Sequence, residues 1–308
     1  MILFNTLDMK NIQLIQCVPN FSEGRDLTKI EQIVSAFRAK KGVKLLNYSN
    51  DTDHNRTVVT IIGEPEPVKK AILEATATAI SLIDLNTHKG QHPRMGAVDV
   101  IPFIPIRNIT MEEVVVLSKE VAQIIGQQLA LPVYLYEKSA TATHRENLAS
   151  IRKGEFEGMS EKMKTKEWEP DYGPTERHTS AGVVAIGARM PLVAYNINLN
   201  TTNLEITSKI SRNIRHANGG LRFVKAMGVE LEGRGITQVS INMTDYTKTS
   251  LYRVFELVRI EAARYGISII GSEIIGLVPM DALIDAASYY LKLEDFSIEQ
   301  VLETRLME

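Results

Sequence analysis

The sequence predicts an α/β (α+β) chain made of two similar sandwiches, each a sheet with helices on one face. Three observations carry that expectation. Short apolar runs alternate with helical patterns along all 308 residues. From Leu192 onward the element order is β-α-β-β-α-β, the split βαβ arrangement. The first half opens with the same order, although no residue-level repeat is visible. With 44% hydrophobic and 23% charged residues, the chain has ordinary globular composition and room for two domains of about 150 residues each.

Residues 12–18 and 43–46 read as strands, with a helix near 27–39 between them. Thr57-Val58-Val59-Thr60-Ile61-Ile62 is a β-branched run and reads as a buried strand. A helix opens at Pro67, and Val68, Ile72, Ala75, Ala79 and Ile83 repeat on one of its faces. A strand is expected at 98–106. Thr110 and Glu113 form a capping box for a helix that carries Val114, Leu117, Val121 and Ile124 on one side. A strand at 132–136 and a single helix over 142–156 follow. Residues 160–182 are polar and hold two prolines, two glycines and the one tryptophan, so they read as an irregular connector. The domain boundary falls there, giving 1–178 and 179–308. Beyond it, strands are expected at 183–186 and 192–199, a helix at 203–217, strands at 221–229 and 237–243, a helix at 247–265, a strand at 267–271 and a helix from Pro279.

The bulk numbers exclude several classes. Lys plus Arg is 35 against 37 Asp plus Glu, a net charge of -2, so nothing argues for nucleic acid or an anionic membrane surface. A lone cysteine, Cys17, permits neither an internal disulfide nor a multi-thiolate metal site and reads as a small core residue. No apolar run approaches a membrane span, and residues 1–13 lack the pattern of a signal peptide. These features together suit a cytoplasmic protein.

The densest chemistry lies in residues 88–99, where His88, Lys89, His92, Arg94 and Asp99 are punctuated by Gly90, Pro93 and Gly96. Such punctuation places them on a fixed loop, and imidazoles beside cations suit proton transfer on an anionic substrate. Lys89 and Arg94 would favour neutral imidazoles able to accept a proton. His88 and His92 have the i, i+4 spacing of a helical metal site, with Asp99 and His54 as further ligands if the fold brings them close. Gly90 and Pro93 argue against an uninterrupted helix there, so no metal is expected.

Asp51, Asp53, His54 and Asn55 suit a turn before the next strand. Arg56, entering that strand, calls for a carboxylate partner or an anionic ligand. Glu23 and Arg25, after the first strand, are either surface charges or cleft residues; capping accounts for Ser22 and Asp26. In the second half, Asn196 and Asn198 alternate with apolar residues, as do Gln238, Ser240 and Asn242. A solvated face would explain the alternation; a cleft between two sheets would also explain why the polar residues are amides. Gly173, Pro174, Thr175, Glu176, Arg177, His178, Thr179, Ser180, Ala181 and Gly182 form a donor-rich loop bounded by glycines. It is either a mobile linker or a ligand-covering loop.

Several long motifs occur in order: CVPNFSEG at 17–24, NRTV at 55–58, HKGQHPRMGAVDVIPFIP at 88–105, PVYLYE at 132–137, IRKGEFEG at 151–158, WEPDYGP at 168–174 and GLVP at 276–279. Together they resemble the formiminotransferase family of folate-dependent histidine degradation, along nearly the whole chain. The resemblance implies two ferredoxin-like subdomains whose sheets face each other across a cleft or tunnel, in a homodimer. It implies transfer of a formimidoyl group between L-glutamate and N5 of tetrahydrofolate, the folate acting as co-substrate. It assigns His92 as the acid/base and the 173–182 loop to folate; Lys89, Arg94 and Arg56 are candidates for the glutamate carboxylates. Many members carry Glu where this chain has Gln91. The cyclodeaminase domain of the animal enzyme is absent, so a separate cyclodeaminase is expected to act on the product. Formyl transfer from 5-formyltetrahydrofolate to glutamate would use the same site. A non-catalytic folate-binding protein is the contrasting class, opposed by His88, Lys89, His92 and Arg94 occurring together.

Overall fold

A computed structural model describes residues 12–90 and 92–306; Gln91 lies outside them. The chain divides into two compact units, the first ending at Arg189 and the second beginning at Met190.

The first unit runs β1 (Leu14–Cys17), β2 (Asn20–Phe21), α1 (Leu27–Ser35), β3 (Val43–Asp51), β4 (Arg56–Gly63), α2 (Pro65–Leu82) and β5 (Val98–Arg107). Then come α3 (Met111–Gln128), β6 (Val133–Leu135), α4 (Thr143–Glu146), α5 (Leu148–Arg152), α6 (Glu155–Lys162) and β7 (Val184–Ala188). β1 and its continuation β2 lie between β4 and β5, and β3 pairs on the far side of β4, all antiparallel. That is the split βαβ arrangement. β7 extends it parallel to β5, and β6 pairs parallel to β7.

Local sequence explains the elements. Asp26 accepts from the Thr28 and Lys29 amides to start α1. The capping box of Thr110 and Glu113 forms as expected at the head of α3. α2 begins at Pro65, two residues before the expected start, and buries Val68, Ala71, Ile72, Ala75 and Ala79. β4 is not buried on both faces. Val59 and Ile61 join the core with α1 and α2, whereas Arg56, Val58 and Thr60 are half-buried on the opposite face. That face carries the site. Cys17 is fully buried in the core, where desolvation raises its thiol well above the ordinary range.

Two expectations are corrected. The single helix over 142–156 is three short helices, because Asn147 has extended backbone and Gly154 takes φ +94°. The expected boundary at 178/179 gives way to one after Arg189, since residues 184–188 form a strand of the first sheet rather than opening the second unit.

The second unit runs β8 (Val193–Leu199), α7 (Leu204–Ile214), β9 (Val224–Leu231), β10 (Ile236–Met243), α8 (Leu251–Ala263), β11 (Ile269–Ile275), α9 (Met280–Leu291) and α10 (Leu302–Leu306). Its antiparallel sheet has the order β11-β8-β10-β9, matching the β5-β1-β4-β3 core of the first unit. Val193, Tyr195, Ile197, Val239 and Ile241 pack in one cluster with Ile210, Val254 and Val258 of the helices. Asn196, Asn198 and Gln238 alternate with these strand residues, and Gln238 donates to Asn198 and to Glu273, both at 2.8 Å. No helix among the described residues is long and apolar enough to cross a membrane.

Ile61 is fully buried at the centre of the first core. Ile61→Ala is expected to destabilise this unit by about 2–5 kcal/mol through lost burial and the cavity left behind, measured by urea denaturation.

Candidate active site

The site is assembled by loops that hold one another by backbone. Asn55 is buried with φ +50° and ties three segments together. Its side chain accepts from the Gly24 amide at 2.8 Å and donates to the Lys89 carbonyl at 3.0 Å, and its carbonyl accepts from His88 Nε2 at 2.9 Å. A Cβ on Gly90 would sit 2.3 Å from the His54 carbonyl oxygen, so only glycine permits this approach. Ser22, expected as a helix cap, instead donates its hydroxyl to the Gly96 carbonyl at 2.7 Å.

His92 shares a pocket of about 320 Å³ with Arg56, Asp51 and His54. Its Nδ1 lies 2.7 Å from the Pro93 carbonyl, while Arg56 Nη1 lies 2.6 Å from Nδ1 and 3.0 Å from Nε2. A carbonyl only accepts, so the Pro93 contact places the proton on Nδ1 and leaves the lone pair on Nε2, where Arg56 Nη1 donates; the shorter Nη1–Nδ1 approach is then a contact and not a hydrogen bond. Burial, then the Arg56 and Arg152 guanidiniums, push the ring down to about 4; of the loop cations expected to favour neutral imidazoles, Arg94 does so at His88, after burial, and not at His92. His92 is therefore neutral near pH 7.

Behind it stands Asp99, 1% exposed. Its Oδ2 accepts from Arg152 Nη2 at 2.6 Å and lies 3.4 Å from Arg56 Nη1; its Oδ1 accepts from the Met95 amide at 2.9 Å. Arg56 also forks onto the Asn20 side-chain oxygen. Its desolvation pushes it down to about 10, against the attraction of Asp99. His54 stands at the rim, its ring centroid 6.2 Å from that of His92 and its Nδ1 3.0 Å from Asp51.

The remaining expected residues lie elsewhere. Lys89 is exposed and lines a second pocket of about 490 Å³ with His88 and Arg94. Arg94 is not a free anion contact: Glu155 at 2.9 Å and Glu157 at 2.6 Å neutralise it, and it donates to His88 Nδ1 at 3.3 Å. His88, hydrogen-bonded on both nitrogens, braces the loop.

The 173–182 loop is held at both ends: before it Tyr172 pairs with Val133, and Gly173 packs against the Leu131 carbonyl with no room for a Cβ. His178 and Gly182 exchange backbone bonds, Ala181 and Gly182 pair with Ala97 and Gly96, and Arg177 packs 3.8 Å from the Phe156 ring. Gly182 takes φ +69° with no room for a Cβ beside the Met95 carbonyl. Residues Gly173, Pro174, Thr175 and Glu176 are exposed. Among the described residues no group of three or more His, Cys, Asp or Glu could hold a metal ion.

Sequence reasoning missed Arg152 and ranked Asp99 and Asn20 too low. The available signal was a carboxylate inside the apolar run Val98-Asp99-Val100-Ile101, which cannot be buried without cationic partners.

Two tests follow. In an NMR titration the His92 ring should protonate near pH 4 rather than near 6.5. Between those values the unfolded chain takes up a proton that the folded chain refuses, so the parent should lose stability relative to His92→Gln as pH falls through that window. Asp99→Asn should cost about 3–5 kcal/mol in chemical denaturation, because it leaves two guanidiniums without their shared carboxylate.

The formiminotransferase domain, N-terminal subdomain, matches residues 14–189, and the formiminotransferase domain matches residues 194–307. The chain is 50% identical to glutamate formimidoyltransferase of Streptococcus pyogenes serotype M1, over 96% of this chain and 99% of that one. It is 44% identical to glutamate formimidoyltransferase of Thermoplasma acidophilum, over 96% and 98%. Against the formimidoyltransferase-cyclodeaminase of Mus musculus the identity is 43%, over 96% of this chain and 56% of that protein. The chain belongs to the formiminotransferase family.

Proposed function

We propose that this chain is a glutamate formimidoyltransferase, moving the formimidoyl group between N-formimidoyl-L-glutamate and N5 of tetrahydrofolate. The carrying observation is a neutral histidine, His92, its Nε2 lone pair beside a guanidinium in a pocket of a formiminotransferase-family chain. N5 attacks the amidine carbon and forms the new C–N bond while His92 Nε2 takes the N5 proton. The bond from that carbon to the glutamate nitrogen then breaks, and His92 returns the proton to the departing amine. The products are 5-formimidoyltetrahydrofolate and L-glutamate. A ring held near 4 gives up its proton readily, which suits the second step.

In this reading the exposed residues of the 173–182 loop contact folate, with Lys89 nearby as an anion contact. Arg56 meets the glutamyl substrate, and Arg94 acts through its ion pairs to hold the loop. A homodimer and a cytoplasmic location are parts of the same reading; the single buried cysteine suits a reducing compartment.

Incubation with tetrahydrofolate and N-formimidoyl-L-glutamate should yield 5-formimidoyltetrahydrofolate. Turnover only with 5-formyltetrahydrofolate and glutamate, or folate binding without turnover, would overturn this reading. His92→Ala should lower kcat about 10²–10⁴-fold with folate affinity little changed, by steady-state kinetics and calorimetry.

A further inference from the structure

We propose that Arg152 and Arg56 together bind one carboxylate of the glutamyl substrate, with Asp99 bracing both from behind. The charge balance around His92 leads there. Arg56 from β4 and Arg152 at the end of α5 converge on the one carboxylate of Asp99 from β5. Both arginine side chains are about 15% exposed and Asp99 only 2%. The other neighbours do not cancel the surplus positive charge: Asn20 is neutral, and Asp51 is half exposed at the rim, paired with His54. Glu155 and Glu157 are committed to Arg94.

Arg152 carries a second mark. Its Nη2 is used by Asp99, but its Nε is buried and makes no hydrogen bond among the described residues. A buried guanidinium nitrogen without an acceptor is costly, so Asp99 satisfies Arg152 only in part, and a second carboxylate meeting the guanidinium would offset the remaining charge. The depressed Arg56 has the same cause, burial incompletely offset by a single carboxylate. An anion here would meet both arginines, lie beside the His92 ring and ease its protonation during transfer. Arg94, whose two glutamates would repel a carboxylate, drops out of substrate binding.

The identity of the anion rests on formimidoyl transfer; the presence of a carboxylate site does not. The test compares three donors: N-formimidoyl-L-glutamate, N-formimidoyl-4-aminobutyrate lacking the α-carboxylate, and N-formimidoyl-2-aminobutyrate lacking the side-chain carboxylate. Arg152→Gln should raise KM for the full donor about tenfold or more, leave the folate KM within about threefold, and cost at most about twofold on whichever analogue lacks the bound carboxylate. Arg152→Lys, which keeps the charge facing Asp99, should show the same selectivity in milder form, and it stands in if the Gln variant does not fold. Equal losses on all three donors, or a rise in folate KM alone, would refute the site. Calorimetry with L-glutamate separates the two readings. If the parent transfers no formimidoyl group yet Arg152→Gln weakens glutamate binding about tenfold, the carboxylate site stands and the reaction assignment falls. Unchanged glutamate affinity in a folded Arg152→Gln overturns the site.

Discussion

The arrangement turns on the buried carboxylate of Asp99 and the two guanidiniums that share it. Asp99 lies in β5, Arg56 in β4 and Arg152 at the end of α5, so the ion cluster joins the sheet to the helical excursion that follows α3. Placing three charges in a half-buried site is unfavourable unless they satisfy one another, and here they do so only in part. Asp99 offers one negative charge to two positive ones, and the surplus is felt by His92, whose ring is held neutral. Burial, the larger cause, and that surplus together keep His92 neutral.

The fold makes that cluster possible by adding to a common core. Both units contain the same split βαβ arrangement, but only the first continues past its last core strand into α3, β6, the three short helices and β7. That continuation supplies Arg152, Glu155, Glu157 and the 173–182 loop. It returns as β7, parallel to β5, where Val183 bonds Met95 and Gly182 pairs with Gly96. The break at Gly154 matters for the same reason: Arg152 before it reaches Asp99, and Glu155 and Glu157 after it reach Arg94. A continuous helix through 142–156 would place residues 152 and 155 on one face and could not divide them this way.

The family, the split βαβ order and the loop bearing His92 were legible in the chain, because turn residues, period-two alternation and capping pairs are local signals. The capping box of Thr110 and the buried face of α2 formed as their spacing indicated. Arg56 entering a β-branched run announced a partner, and it has three, Asp99, Asn20 and His92. Arg94 sits in a setting that its local sequence does not show. Its neighbours in sequence suggested a cationic loop, whereas its neighbours in space are two glutamates some sixty residues further on. The strand expected at 183–186 opens no second unit but is β7 of the first sheet, since pairing partners are not encoded in the strand that seeks them.

Sequence thus determined which chemistry is present: a histidine loop, the cations around it and a scaffold of known type. Tertiary structure alone decided how those groups are paired. Period and punctuation are properties of neighbouring residues, but neutralisation and desolvation depend on atoms brought together from distant segments. Asp99 and Arg152 stand fifty-three positions apart and meet at 2.6 Å. That contact gathers two guanidiniums around one carboxylate beside His92, a pairing that no local pattern encodes.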